Sequence, residues 1–141
     1  MAKKPEAVFS RHVIAMLPGF DIVRVETVAS LGFPDMVLTD KGGTGKVCFL
    51  ENKVVTRGLK VGLRPHQISF LFRQWSYGVS AYVLVKHMPV GKRIGSILLY
   101  EGGQSMELQE KGLSLPPVLS FSTAAVNWQQ IRERLLSKNS T

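Results

Sequence analysis

Three charged residues in the first half of the chain have types and spacings that suit metal-assisted chemistry. Asp35 follows Pro34 at the start of an apolar run, and Glu51 and Lys53 lie two residues apart in a second run. Side chains alternate between the two faces of a strand, so Glu51 and Lys53 would project from one face. A hairpin through residues 41–45 would return the second run beside the first. The three charged groups are therefore predicted to converge at one end of a sheet.

Asp35 and Glu51 offer the hard carboxylate oxygens that Mg²⁺ or Mn²⁺ binds together with waters and phosphate oxygens. The backbone carbonyl of Asn52 is a further candidate ligand. A metal ion held there would stabilise charge on a phosphate and lower the pKa of an attacking water. Lys53 would orient or deprotonate that water, or stabilise the transition state. A plainer interpretation is that Glu51 and Lys53 form a solvent-facing pair on an edge strand, contributing at most about 1 kcal/mol.

The elements that would position these residues follow from hydrophobic periodicity and turn residues. A helix is predicted over 5–17, followed by three strands: one over 20–28, one beginning at Pro34, and one that contains Glu51 and Lys53. A second helix is predicted from Pro65 to Tyr77-Gly78, and a further strand over 80–85. The order gives an αβββαβ core of the α/β class, with a mixed central sheet flanked by helices. The strand over 80–85 is expected to run parallel to an earlier one, because a helix intervenes.

The C-terminal third is predicted with less regular patterns. We expect strands over 94–100 and 106–109, an extended segment over 115–118 and a terminal helix over 126–136. Arg132, Arg134 and Lys138 would form the solvated face of that helix. Four apolar side chains elsewhere are expected to face the core: Met16, Val47, Phe49 and Phe72.

Phe33-Pro34-Asp35, a short hairpin, Glu51-Asn52-Lys53 and a helix opening with Arg64-Pro65-His66-Gln67 together resemble the PD-(D/E)XK nuclease superfamily. The stretch is most similar to its Holliday junction resolvase and VRR-NUC branches, in which a proline and a glutamine open the helix after the E-x-K strand. The resemblance covers about residues 6–86. It implies a restriction-endonuclease-like fold and hydrolysis of DNA phosphodiester bonds with Mg²⁺ or Mn²⁺. It also implies catalytic roles for Asp35, Glu51 and Lys53, with Gln67 holding a water or a backbone group.

Glu6 lies three residues before Phe9 and so belongs to the inward face of the first helix. Its carboxylate either complements the helix dipole or hangs over the sheet edge beside Asp35 and Glu51. The resembled nucleases place a glutamate on their first helix, so Glu6 is a candidate catalytic residue and metal ligand. Glu26 is read as a solvated strand residue, with support of the site as the alternative.

The chain carries 18 Lys and Arg against 10 Asp and Glu, a net charge of +8 that favours polyanionic partners. We expect the polyanionic partner to be branched or duplex DNA. Six residues around the site are candidates for binding it: Ser30, Arg57, Lys60, Arg64, His66 and Arg73. A rival hypothesis is a non-catalytic nucleic-acid-binding module, but the presence of Asp35, Glu51 and Lys53 argues against a lost activity.

A length of 141 residues suits one domain, with a core over about 5–87 and an extension over about 88–141. Cys48 is the only cysteine and is read as a small buried hydrophobe. Since no apolar run is long enough to span a bilayer, we expect a cytoplasmic protein of prokaryotic or phage type without a membrane partner.

The apolar segment over 94–118 leaves the oligomeric state open. A resolvase needs two active sites about a twofold axis, and this segment would supply the interface of such a homodimer. A monomeric nickase, or a flap or single-strand nuclease of the VRR-NUC kind, would instead use it to cover its own core.

Overall fold

The computed structural model describes residues 4–25 and 32–138. Its helices are α1 (Lys4–Met16), α2 (Pro65–Ser76), α3 (Ser105–Lys111) and α4 (Trp128–Ser137). Its strands are β1 (Phe20–Arg24), β2 (Met36–Asp40), β3 (Val47–Val55), β4 (Ser80–His87), β5 (Ser96–Glu101) and β6 (Leu119–Ser122). Ser30 and Glu26 lie outside the described residues.

The strands form one six-stranded sheet in the order β1-β2-β3-β4-β5-β6. β3 and β4 pair in parallel, and each other neighbouring pair is antiparallel. The parallel pair forms because α2 carries the chain back to the other end of the sheet. The predicted α/β class, the mixed central sheet flanked by helices and the αβββαβ order are confirmed, and β5 and β6 extend the same sheet.

Helices cover both faces of this sheet. On one face α1 and α4 pack Phe9, Val13 and Ile131 over strand residues such as Leu50. On the other face α2 and α3 pack over a second cluster: Val55, Val83, Val85, Leu98 and Tyr100. Because alternate residues of β3 point to opposite faces, Glu51 and Lys53 share the α2 side with Val55.

The β2–β3 hairpin is present as predicted and is held by Asp40. Its carboxylate accepts from Gly42 N at 3.1 Å and from Thr44 Oγ1 at 2.6 Å. Gly43 and Gly45 have φ angles of 85° and 74°, which a side chain would disfavour. The hairpin therefore sets the register in which Met36 lies opposite Leu50.

Several predicted elements of the chain are wrong or incomplete. The predicted strand over 106–109 is part of helix α3, in which Leu108 is buried while the two residues before it, Met106 and Glu107, are exposed. β1 is Phe20–Arg24, and residues 26–28 of the strand predicted there lie outside the described residues. β6 was missed, although Leu119-Ser120-Phe121-Ser122 alternates apolar and polar residues with the period of a strand.

Three apolar side chains expected in the core are exposed instead: Met16 at 38%, Val47 at 41% and Phe72 at 41%. Val47 is the first residue of β3, next to the exposed hairpin turn over 41–45. Met16 is the last residue of α1, next to buried Leu17, and Phe72 follows buried Leu71 in α2. The fourth, Phe49, is half-buried.

The cations of α4 were predicted to be solvated, and this is wrong. Arg132, Arg134 and Lys138 are half-buried and each has a partner far away in the sequence. The partners, in that order, are the Asp40 carboxylate at 3.5 Å, the Glu101 carboxylate at 2.9 Å and the Trp75 ring centroid at 3.6 Å. Helical periodicity could not show them, because they come from the hairpin, β5 and α2.

The apolar segment over 94–118 mostly fills the chain's own core. Ile97, Leu98, Leu99, Tyr100 and Leu108 are at most 8% exposed. None of the helices in the described ranges is both long and apolar enough to cross a membrane.

Candidate active site

Asp35 lies immediately before β2 and reaches across to β3. Its Oδ2 accepts a hydrogen bond from the backbone N of Asn52 at 2.9 Å. The chain before Asp35 packs closely against α2 at Gly32, since a Cβ at this position would lie 2.3 Å from the His66 carbonyl oxygen. Gly32 also has a φ of +86°, so this close approach depends on glycine. The structure thus brings Asp35 beside the Glu51-Asn52 peptide.

Three phenylalanines support the same approach. The rings of Phe33, Phe49 and Phe70 lie 5.1–5.7 Å apart between centroids, in tilted or edge-to-face contacts. They join the segment before Asp35, strand β3 and helix α2. Phe33 and Phe49 each precede a site carboxylate by two residues, so this cluster fixes the spacing between Asp35 and Glu51.

Glu51 is 2% exposed and sits in the centre of the sheet, with β2 and β4 on either side. Its Oε2 accepts from Gln67 Nε2 at 3.0 Å and lies 3.6 Å from Lys53 Nζ. Its Oε1 is buried and has no hydrogen-bond partner within the described part of the chain. A buried carboxylate oxygen without a donor is costly, so this atom needs an explanation.

The pKa of Glu51 is raised to about 8, first by burial and second by the charge of Asp35, against the lowering effect of Lys53. The neutral form of Glu51 can donate its proton towards Asp35, whereas in the ionised form Oε1 lacks a donor. Two adjacent carboxylates with one partly offsetting ammonium thus form a site that favours either a proton or another cation.

Lys53 is 8% exposed and is held at two points. Its Nζ donates to the Gly62 carbonyl at 3.1 Å, and its distance of 3.6 Å to Glu51 makes a loose ion pair. The interpretation of Glu51 and Lys53 as a solvent-facing pair on an edge strand is therefore wrong. β3 is a central strand, and both side chains are buried.

Gln67 lies in the first turn of α2, after Pro65 at the helix start, and is 6% exposed. Its Oε1 accepts from Arg64 N at 3.0 Å, while its Nε2 donates to Glu51. One amide side chain therefore caps the helix and holds the carboxylate. Because Gln67 occupies Oε2 of Glu51, Oε1 is the oxygen left for another ligand.

Glu6 and Asn52 approach the site from the α1 side. Asn52 is fully buried, and its Nδ2 donates to Ser10 Oγ at 3.2 Å, one turn after Glu6 in α1. Glu6 is half-buried and contributes to the raised pKa of Glu51. It also lies in the first turn of α1, where it complements the helix dipole. Both interpretations of Glu6 therefore remain compatible with its position.

No three His, Cys, Asp or Glu side chains in ranges 4–25 and 32–138 are grouped closely enough to hold a metal ion by themselves. The donors that the structure does bring together fit a hard cation: the paired carboxylates of Asp35 and Glu51, and the unpartnered Oε1. Other ligands would have to come from the backbone, water or substrate.

Five of the predicted DNA-binding residues are exposed: Arg57, Lys60, Arg64, His66 and Arg73. Arg73 also donates to Ser69 Oγ at 3.1 Å. The sixth, Ser30, falls outside the described ranges. Arg57 and Lys60 follow β3, Arg64 and His66 lie at the start of α2, and Arg73 lies in the last turn of that helix. The loop and the helix that carry them pack on the side of the sheet where Lys53 lies.

Sequence reasoning missed two basic residues that the fold brings to the same side. Val90 N donates to Thr56 O at 3.2 Å, so the β4–β5 loop lies against the loop after β3. This places exposed Lys92 and Arg93 near Arg57. The sequence does show a basic turn, Gly91-Lys92-Arg93. Its position near the site could be inferred only once the pairing of β3 with β4 was known.

No family model matches the chain, and no curated protein does. Among solved structures the chain is similar to Hjc, a Holliday junction resolvase from the archaeal hyperthermophile Archaeoglobus fulgidus, with 19% sequence identity and a TM-score of 0.46. The match covers 68% of this chain and 76% of the resolvase. A likeness this distant carries no conclusion about activity, and it does not bear on the VRR-NUC branch.

Proposed function

We propose that this protein is an endonuclease that hydrolyses phosphodiester bonds in DNA with the help of Mg²⁺ or Mn²⁺. The observation that carries the proposal is Glu51 Oε1, a buried carboxylate oxygen that lies beside Asp35 and has no partner within the described residues. A divalent cation would satisfy this oxygen and favour the ionised form of Glu51.

Asp35 and Glu51 would hold the ion, and the Asn52 carbonyl is the candidate third protein ligand. When bound, the ion would stabilise negative charge on the phosphate and lower the pKa of a water. Glu6 is within electrostatic reach of Glu51, and its proposed role is to accept hydrogen bonds from waters of the site.

The residues of the chain itself would position the reaction. The Lys53 ammonium is held by the Gly62 carbonyl and faces Glu51, which leaves a third N–H for a phosphate oxygen or the attacking water. Gln67 keeps Glu51 Oε2 occupied and so directs Oε1 to the ligand. Both side chains are buried, so they need little reorganisation when the substrate binds.

The test is cleavage of a synthetic four-way junction beside linear duplex, single strand and flap of equal sequence, with Mg²⁺, with Mn²⁺ and with EDTA. We expect cutting with either metal and none with EDTA. Cleavage that persists in EDTA would contradict the metal mechanism. DNA binding with no cleavage under any condition would favour the non-catalytic module.

The same experiment separates two substrate classes. The resemblance of residues 63–67 to resolvases favours structure-selective cutting of branched DNA by a homodimer, which would give paired symmetric nicks. The burial of Ile97–Tyr100 and Leu108 in the chain's own core favours a monomeric nicking, flap or single-strand nuclease. The oligomeric mass, measured in parallel by light scattering, decides between them.

The proposed path of DNA includes the β4–β5 loop. Neither this loop nor residues 56–64 contains an acidic residue, and Arg57, Lys60, Lys92 and Arg93 are all exposed. We expect the Lys92→Ala/Arg93→Ala double variant to bind duplex DNA more weakly. The slope of log Kd against log salt should fall by up to about 1.8, because each lost phosphate contact removes about 0.9.

Arg11→Ala/Lys41→Ala is the matched control for this measurement. It removes the same charge from exposed residues on α1 and on the hairpin. We expect it to change the slope little. An equal change in both double variants would show that net charge alone, without a defined DNA path, determines the affinity.

A further inference from the structure

Helix α3 and the turn after it pack against the loop that joins β3 to α2. Leu63 N donates both to Gln109 Oε1 at 3.1 Å and, within its own loop, to Val61 O at 2.9 Å. Leu113 N donates to Leu59 O at 2.8 Å. Gly112 comes so close that a Cβ would lie 2.3 Å from the Leu59 carbonyl oxygen. The loop is thus held at two points by residues of the C-terminal third.

The residues on either side of Leu63 bind the side chains that contact Glu51. The Gly62 carbonyl accepts from Lys53 Nζ at 3.1 Å, and Arg64 N donates to Gln67 Oε1 at 3.0 Å. Gln109 fixes the peptide N–H between these two groups. A shift of Leu63 would therefore move the acceptor of Lys53 and the helix start that holds Gln67.

We propose that Gln109 is a positioning residue for Lys53. Its Oε1 anchors Leu63, and the anchored loop presents the Gly62 carbonyl to the lysine ammonium. The kinetic consequence of this link rests on the proposed nuclease function, whereas the link itself is a property of the fold and can be measured without DNA.

A purely structural role makes a different prediction. Leu63 is 2% exposed, and its buried N–H needs an acceptor, which Val61 O at 2.9 Å would still provide without Gln109. If Gln109 only satisfied this donor, its loss would lower the melting temperature and leave the environment of Lys53 and the turnover of well-folded protein unchanged.

Gln104 provides a matched control. It lies five residues before Gln109, and its Oε1 accepts from the backbone N of Glu101 at 2.9 Å. It therefore performs the same kind of bond in the same segment, but it contacts no part of the 56–64 loop among its hydrogen bonds.

The first measurement is NMR of ¹³C-lysine-labelled, metal-free protein, with the Lys53 Cε signal assigned from Lys53→Arg. Gln109→Leu removes the side-chain acceptor of Leu63 N, and with it the tie to α3, with little change in size, and it should shift or broaden the Lys53 signal. Gln104→Leu should leave that signal in place. An unchanged Lys53 signal in Gln109→Leu overturns the proposal, whether or not the protein cuts DNA.

The second measurement is single-turnover cleavage at saturating DNA, well below the melting temperature. Gln109→Leu should lower the rate by about 10- to 100-fold at similar DNA affinity, because small misplacements of a catalytic group have effects of this size. Gln109→Glu keeps an acceptor oxygen and should restore most of the rate.

Equal rate losses in Gln109→Leu and Gln104→Leu would overturn the proposal. If Gln109→Leu does not fold, Gln109→Ala takes its place in both measurements. If the wild-type protein cuts no DNA, the nuclease function fails, and the Lys53 signal alone then supports or overturns the link from Gln109.

Discussion

Asp35→Asn and Glu51→Gln should each slow DNA cleavage by about 10³-fold or more, while duplex binding stays within a few-fold of wild type. The rate falls because each change removes a charged oxygen donor from the proposed cation, whose stabilisation of the transition state is several kcal/mol. Binding persists because exposed basic residues outside the site supply the affinity. Single-turnover cleavage and filter binding with Mg²⁺ provide the two measurements.

Asp21→Asn is the matched control, because Asp21 is an exposed carboxylate on β1 at the edge of the sheet. It should retain the wild-type rate. A fall in DNA affinity equal to the fall in rate would show that Asp35 and Glu51 act through substrate binding. Full activity of Glu51→Gln would exclude Glu51 as a required ligand.

Without metal, the protein should become less stable as the pH rises from about 5 to 8. The folded protein holds the Glu51 proton up to a pKa of about 8, against a value of 4.5 for an unperturbed glutamate. In this window the folded state binds more protons than the unfolded state, so the free energy of unfolding falls with pH. The size should be on the order of 1–4 kcal/mol, since one pKa unit corresponds to about 1.4 kcal/mol.

Urea unfolding in EDTA at pH 5.5 and pH 8, for wild type and Glu51→Gln, measures this effect. The variant should be more stable than wild type at pH 8 and should have a flatter pH dependence. Mn²⁺ should restore stability to wild type at pH 8 and have little effect on the variant. Identical pH dependence in the two proteins would contradict the raised pKa. Asp40, whose pKa is lowered by its hydrogen bonds to Thr44 and Gly42, acts in the acid range and does not overlap this window.

Most of what could be predicted about the fold and the site came from the alternation of side chains along strands. Glu51 and Lys53 share a face because a period of two is intrinsic to any strand, whatever surrounds it. The parallel pairing of β4 followed from the intervening helix for a similarly local reason. Both predictions depended on neighbouring residues and on backbone geometry.

Other features depended on contacts between distant parts of the chain. The unpartnered Oε1 of Glu51 reflects the packing of α2 over β3, and no spacing in the sequence indicates it. Arg132 and Arg134 look solvated on a helical wheel, yet their acidic partners lie 92 and 33 residues away. Gln109 was missed because its segment was read as a strand and its acceptor role appears only when α3 lies against Leu63.

The contact of α3 with the loop before α2 affects when the site can form during synthesis of the protein. Translation proceeds from the N-terminus, so Asp35, Glu51 and Lys53 leave the ribosome well before Gln109, which is 46 residues beyond Leu63. The nascent chain therefore carries its acidic residues while the loop that orders Lys53 is still unanchored. Tyr100 and Leu115 also arrive late, and the Tyr100 hydroxyl then donates to the Leu115 carbonyl at 2.9 Å inside the core. Ordering of the proposed site therefore follows the synthesis of residues 109–115, well after its carboxylates have left the ribosome.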